Sequence, residues 1–302
     1  MIPPHDGKPA VNLSAQRLPD DRIAIELACD LDEAGFGGIA ISGFGGVLGY
    51  AVSLAHVTKT IPFFTAVHPI YLSHALESAR QSRHVRTFAG DRFALGLGVS
   101  HVPVLASEGI ESTSPLETMR TYVRQVRDAG YGGRILLAGV RSRMIDLAYE
   151  TADGLVMAHA ALSDVARLLG KRPHDRPGLF VVSNVISTAI GANIDDARDA
   201  VRRHLAHGSA RLPNYRAAWR TAGFVEEVDL IESGVSAGDD DLIARGLSDR
   251  LVSECCLACT PGELRERVGR WVDAGVDLPI LQLVGEPQAI YEQTAELIRI
   301  YR

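Results

Sequence analysis

Most of the residues with chemical potential in this chain stand at the ends of short apolar runs. Four such ends are Ala66-Val67-His68-Pro69, Gly96-Leu97-Gly98-Val99-Ser100-His101, Ala138-Gly139-Val140-Arg141-Ser142 and Met157-Ala158-His159. Asn12 with Ser14, and Ser42 before a glycine-rich stretch, are two more. His68, His101 and His159 are placed to touch a ligand there, since an imidazole can donate, accept or move a proton; each also suits a plain structural hydrogen bond. No Asp or Glu stands at any of these ends. That excludes the paired carboxylates of glycoside hydrolysis. A metal-dependent hydrolase would want His-x-His on its first strand, where Val11-Asn12-Leu13-Ser14 stands. A site this short of acids and bases suits a bound cofactor that brings its own chemistry.

Gly139-Val140-Arg141-Ser142-Arg143 runs straight into a helical stretch, Ser142 to Thr151. Free amides at a helix start, with the positive end of its dipole, hold a phosphate well. Arg141 or Arg143 adds a charge-assisted contact, or is a solvated surface arginine. Gly139 lets the anion approach the backbone, so Gly139→Asp is expected to block it while the fold survives. Cys255-Cys256-Leu257-Ala258-Cys259 holds a C-x-x-C, but no second ligand pair is spaced for zinc, and the thiols read as buried and structural. Gly43-Phe44-Gly45-Gly46-Val47-Leu48-Gly49 offers a dinucleotide fingerprint, yet the glycine spacing differs and no acid closes the next strand at Thr65-Ala66-Val67-His68.

These residues need a frame. Glu33-Ala34-Gly35-Phe36-Gly37-Gly38, Asp128-Ala129-Gly130-Tyr131-Gly132-Gly133 and Asp273-Ala274-Gly275-Val276-Asp277 each end a helix with a glycine and lead into an apolar strand. The strands do not alternate, which is the habit of parallel strands covered on both faces. Strands are expected at Val11–Gln16, from Gly38, at Pro62–Val67, Phe93–Gly98, from Arg134, at Gly154–Met157, Leu179–Ile186 and from Leu278. Helices are expected at Asp21–Ala34, Ser73–Phe88, Ser114–Ala129, Ser142–Thr151, Ser163–Leu169 and Gly262–Ala274. Eight such units make an α/β fold, a single (β/α)8 TIM barrel over residues 1–302. A helical insertion, about 187–250, lies between strands seven and eight, with helices at Ile194–Ala206, Asn214–Ala222, Val225–Ser233 and Asp239–Leu247. Ser114-Pro115-Leu116-Glu117 reads as a capping box, and Val102–Thr113 as a loop beside the substrate pocket. His5, His84, His174, His204 and His207 read as surface positions, and His74 as a helix start near the barrel mouth.

Composition narrows the function further. The 302 residues are 46% hydrophobic and 23% charged, with a net charge of −6. No basic block suggests nucleic acid, and no apolar run is long enough for a membrane span. Met1 to Lys8 has no apolar core of a secretion signal. Four cysteines do not make a disulfide scaffold, so a reduced, cytoplasmic protein is expected.

Several segments together resemble the bacterial luciferase-like monooxygenases, and most the branch that uses the deazaflavin coenzyme F-420. They are Ser73-His74-Ala75, Phe88-Ala89-Gly90-Asp91, Arg92 through His101, Ser114 through Tyr122, Ile135 to Gly139 and Met144 through Gly154. Pro213-Asn214-Tyr215 with Gly223-Phe224, and Thr260 through Leu264 with Asp273 through Asp277, complete the likeness over about residues 11 to 285. The resemblance implies an oxidoreductase moving hydride between F-420, or alternatively FMN, and a small organic substrate. An FMN monooxygenase and a non-catalytic cofactor binder are the other readings. The ring would sit in the barrel mouth and the phosphate at Gly139, Val140, Arg141 and Ser142. A non-prolyl cis peptide at Ala66-Val67 would back the ring. Ser14, Ser42, Gly98, Ser100 and His159 complete the expected cofactor contacts, with His68 and His101 as the expected catalytic groups and no metal. Many F-420 members carry Asp-His where this chain has Ser42-Gly43-Phe44-Gly45, and sugar-phosphate oxidising members carry Glu where Val99 stands. His68, Ser100 or His101 would then take over proton transfer, or solvent would supply the proton. A homodimer is also implied.

Overall fold

The computed structural model describes residues 7–14, 17–43, 45–112, 114–172 and 180–302. His5, Ala15, Gln16, Phe44, Thr113, His174 and Leu179 therefore lie outside the described residues. Among the described residues there are ten strands: β1 (Ala10–Leu13), β2 (Gly38–Ile41), β3 (Phe63–Thr65), β4 (His68–Pro69), β5 (Phe93–Gly98), β6 (Arg134–Ala138), β7 (Gly154–Ala158), β8 (Val181–Ile190), β9 (Cys256–Cys259) and β10 (Leu278–Leu283). The order β1-β2-β3-β5-β6-β7-β8-β10 closes on itself, because β10 pairs with both β8 and β1. All these pairings are parallel. The eight expected strands thus form a closed barrel ringed by helices, as the unbroken apolar runs required.

Strand alternation sorts the side chains into two layers. Ala10, Ala40, Phe64, Ala94, Leu136, Val156, Val185 and Ile280 point inward and fill the barrel. Val11, Ile39, Phe63, Leu95, Ile135, Leu155 and Leu281 point outward, against the helices. The three recurrent helix-ending glycines, Gly35, Gly130 and Gly275, all have positive φ, between 68° and 104°. A side chain would strain each turn, which explains the repeat.

At the N-terminal end of the barrel, carboxylates tie loops together. Asp32 accepts from the amides of Thr60 and Ile61 at 3.0 and 2.7 Å. Asp153 accepts from Ile135 N at 2.9 Å and from Arg127 at 2.7 Å. Asp277 accepts from Val182 N at 2.7 Å and from Arg172 at 2.6 Å.

The insertion is built from helices Ile194–His207, Pro213–Thr221, Val225–Ala237, Asp240–Gly246 and Asp249–Cys255. They share a second core of Val201, Leu205, Trp219, Phe224, Ile231 and Ile243. β9 was not expected: β8 runs on to Ile190, and its last four residues pair with Cys256–Cys259. Cys255, Cys256 and Cys259 are buried free thiols, and no metal-holding cluster of His, Cys, Asp and Glu exists among the described residues.

Three local expectations are corrected. Val102–Ser107 is a helix, with Pro103 in its first turn where its missing N–H costs nothing. Ser114 makes no side-chain cap: its backbone is left-handed, φ 44°, and not in the extended conformation an N-cap residue ordinarily takes. His204 is not a surface residue, because the insertion helix that carries it lies against the barrel rim, 3.5 Å from Gln282. No helix among the described residues is long and apolar enough to cross a membrane.

Candidate active site

The C-terminal strand ends form the mouth, where α/β barrels build their sites. By strand alternation, the last inward positions are Asn12, Ser42, Ala66, Gly98, Ala138, Ala158, Ser187 and Gln282. They divide by chemistry. Neighbouring strands β3, β5, β6 and β7 contribute Ala66, Gly98, Ala138 and Ala158, a wall of small apolar residues. Neighbouring strands β8, β10, β1 and β2 contribute Ser187, Gln282, Asn12 and Ser42, a polar wall. Ser42 donates to Asn12 Oδ1 at 2.7 Å. Ser14 is buried just beyond β1, and its carbonyl accepts from Arg17 N.

Between β3 and β4 the chain bulges inward at Ala66-Val67, whose peptide bond is cis as the resemblance implied. A Cβ at Gly98 would lie 2.3 Å from Val67 Cγ2, so the glycine makes room for Val67 in the mouth. His68 follows at once, but its ring leaves the mouth. Its Nε2 is 2.8 Å from Ser78 Oγ on the outer helix Ala75–Ala89, and Ser78 meets Tyr122 OH at 2.7 Å. Burial holds the His68 imidazole neutral, with its pKa lowered to about 4. His74 caps that same helix, accepting from Leu76 N.

Ser100 and His159, at the ends of β5 and β7, both have positive φ, 58° and 51°. His101 and His159 flank Tyr215 of the insertion, with ring centroids 4.9 and 5.3 Å away. Tyr215 stacks in turn on Trp219, whose Nε1 donates to the His159 carbonyl at 2.9 Å. The insertion therefore reaches over the mouth through one aromatic column. Burial lowers the pKa of His101, and that of His159 to about 3. Nδ1 of each is buried with no partner, as is Ser187 Oγ. Tyr215 and Trp219 were missed as site residues: their helix belongs to the insertion, and nothing in its spacing says which face meets the barrel.

The loop after β6 carries the expected anion site. Helix Ser142–Thr151 starts without a side-chain cap. Only Met144 and Ile145 among its first amides find acceptors, both at the Arg141 carbonyl. Among the described residues the N–H groups of Val140, Arg141, Ser142 and Arg143 have none, so four donors are left for a ligand or solvent. A cavity of about 100 Å³ opens there, lined by Val140, Arg141, Ser142, Ala158, Arg167 and Trp219 among others. Gly139, however, faces the other way. A Cβ there would meet Ile145 and Leu155 at 3.2–3.3 Å. The expectation that Gly139→Asp blocks an anion and spares the fold is therefore corrected: the carboxylate would enter the helix–strand packing.

The chain belongs to the luciferase-like monooxygenase family, whose model matches residues 10–278. Among solved structures it is similar to a coenzyme F420-dependent tetrahydromethanopterin reductase from Methanopyrus kandleri, at 15% identity and TM-score 0.77, over 98% of this chain and 99% of that one. An F420-dependent secondary alcohol dehydrogenase in complex with an F420–acetone adduct gives 14% identity and TM-score 0.69, over 98% and 99%. The oxygenating constituent of 3,6-diketocamphane monooxygenase from Pseudomonas putida, in complex with FMN, gives 15% and 0.64, over 96% and 95%. At such identities the likeness speaks for the fold. No curated protein matches the chain.

Proposed function

We propose that this protein is an oxidoreductase that binds a deazaflavin of the F-420 type in the barrel mouth and transfers hydride to or from a small organic substrate. The observation that carries the reading is the run of four unpartnered amides, Val140 to Arg143, beside a wall of small residues. The amides and the helix start fit a phosphate. Ala66, Val67, Gly98, Ala138 and Ala158 leave a flat apolar face against which a fused ring system can lie. Bound there, the cofactor supplies the hydride chemistry.

The chain's own residues position and shield. Tyr215 and Trp219 close one side of the mouth against water. His101 and His159, neutral through burial, present ring nitrogens that donate or accept without adding charge. Either can accept the hydroxyl proton of an alcohol substrate as hydride leaves its carbon, becoming imidazolium, and in the reverse direction the imidazolium returns that proton to the carbonyl oxygen as hydride arrives. His68, bonded to Ser78 outside the barrel, is a positioning residue that fixes the bulge bearing Ala66 and Val67. FMN is the second reading, because it presents the same phosphate and a similar ring. One solved structure similar to this chain, with TM-score 0.64, is the oxygenating constituent of a monooxygenase in complex with FMN.

Absorbance and fluorescence titration of the purified chain with F-420 and with FMN tests the reading. Saturable binding of F-420, at least tenfold tighter than FMN, is expected. Preference for FMN moves the protein to the monooxygenase reading, and binding of neither overturns both. We also propose a homodimer in the cytoplasm; sedimentation as a single chain at micromolar concentration overturns the dimer.

A further inference from the structure

Arg17 stands at the rim between β1 and β10, on the wall opposite the phosphate loop. In the eight-strand ring, β1 and β6 are four strands apart in either direction. The arginine is half-buried, and it donates through Nη2 to the Leu283 carbonyl at 3.2 Å. Among the described residues it has no carboxylate partner, while the chain's other half-buried arginines mostly do: Arg127 meets Asp153, Arg172 meets Asp277 and Arg202 meets Asp249. A partly desolvated guanidinium held in place by a single carbonyl keeps its remaining donors for something else.

Neutral polar groups lie on the same side of the mouth, beginning with Gln282, the neighbour of Leu283 on β10. Ser187 and Gln282 are register partners on β8 and β10, on the inward face. Ser187 Oγ is buried and unpartnered. His204 reaches Gln282 from the insertion at 3.5 Å and feels the Arg17 charge. Among the described residues the group carries one positive charge and no carboxylate paired with it.

We propose that Arg17, with Ser187, Gln282 and His204, receives an anionic head group of the substrate, a carboxylate, which anchors the organic body toward the apolar wall. A monoanion matches one guanidinium with neutral donors, whereas a dianionic phosphate is better served by the amide run after β6. That the bound anion is the substrate rests on the hydride-transfer reading; its binding at Arg17 does not.

The test compares hexanoate with hexanol by calorimetry on the full chain, with and without added F-420. Hexanoate should bind at least tenfold more tightly than hexanol. Arg17→Gln keeps a donor for Leu283 but removes the charge, and should weaken hexanoate at least tenfold while leaving hexanol unchanged. Arg17→Lys keeps the charge and should stay within about threefold of the parent. Equal binding of the two probes, binding of neither, or rescue by Gln in place of Lys overturns the proposal. F-420 affinity is measured on the same variants. A chain that binds hexanoate through Arg17 but no cofactor refutes the hydride-transfer reading alone. A chain that binds F-420 with hexanoate unaffected by Arg17 refutes the anion site alone.

Discussion

The two ends of the barrel treat polar groups in opposite ways. At the N-terminal end, Asp32 accepts from several backbone amides and from the Thr60 hydroxyl, while Asp153 and Asp277 each accept from one amide and one arginine, Arg127 and Arg172. At the C-terminal end, the amides after β6, Nδ1 of His101 and of His159 and the Ser187 hydroxyl have no partner among the described residues, and the Arg17 guanidinium has only the Leu283 carbonyl. At the second end the carboxylate that lines the cavity after β6, Asp164, is paired with Arg167 at 2.6 Å. Satisfied polar groups stabilise a fold, whereas buried unsatisfied ones cost about 1–3 kcal/mol each, and His101, His159 and Ser187 bring three of them to one mouth. The first end reads as stability, the second as function.

Acid should break this division most strongly. His68, His159 and His204 have folded pKa values lowered to about 4, 3 and 4 by burial. In the unfolded chain each takes a proton near pH 6.5. Below that pH the unfolded state binds more protons, so stability falls as pH falls, and the fall ends near pH 4 for His68 and His204. Each contributes a slope of up to about 1.4 kcal/mol per pH unit. Urea midpoints at pH 7.5, 6 and 5 should drop steadily, and His204→Gln should flatten part of the drop. A midpoint unchanged between pH 7.5 and 5 would refute neutral histidines in the folded protein.

Gly139→Asp comes next. The new carboxylate would be forced toward Ile145 and Leu155, which are 2% and 0% exposed. Burying a carboxyl group without partners costs at least about 3 kcal/mol in this setting. Thermal unfolding should show a large loss, and any loss of cofactor would follow from it. A variant as stable as the parent would mean that the loop turns over to face the ligand.

How much of this was legible beforehand follows the same division. The eight strands and most helices were readable because unbroken apolar runs and helix-ending glycines leave few alternatives. The amide run after β6 was readable too, since a glycine loop entering a helix announces free donors. The side-chain direction of Gly139 was not, because strand alternation breaks down in a loop. His68 stood at a strand end yet points outward, for the bulge at Ala66-Val67 resets the alternation. Tyr215, Trp219, His204 and Arg17 reach the mouth only through long-range packing of the insertion and the rim, and no local pattern encodes that.

Asp277→Ala separates the two ends. It removes acceptors for Val182 N and Arg172, both at the N-terminal end. Hydrogen bonds to a charged group contribute about 1.5–3 kcal/mol, and the 40% exposure of the Asp277 side chain argues for the lower part of that range. Chemical unfolding should show about 2 kcal/mol lost. F-420 affinity, measured on the folded variant, should stay within twofold. A variant that loses affinity in step with stability would show that the two ends are coupled.

The smallest effect is expected at Ser100, and it is informative because two terms nearly cancel. Ser100 holds φ at 58°, a conformation that costs a non-glycine residue about 1–2 kcal/mol. Glycine would relieve that cost, but it also gives the unfolded chain more freedom, worth about 0.4–1 kcal/mol. Ser100→Gly should therefore change stability by less than about 1 kcal/mol, in either direction. With the backbone held as it is, any change in ligand affinity must come from the lost hydroxyl. If Ser100 touches the cofactor or substrate, F-420 affinity or turnover falls severalfold while the unfolding midpoint hardly moves. Parent-like affinity and turnover would instead make Ser100 a backbone device, turning the chain from β5 so that His101 meets Tyr215, and would remove it from the contact surface.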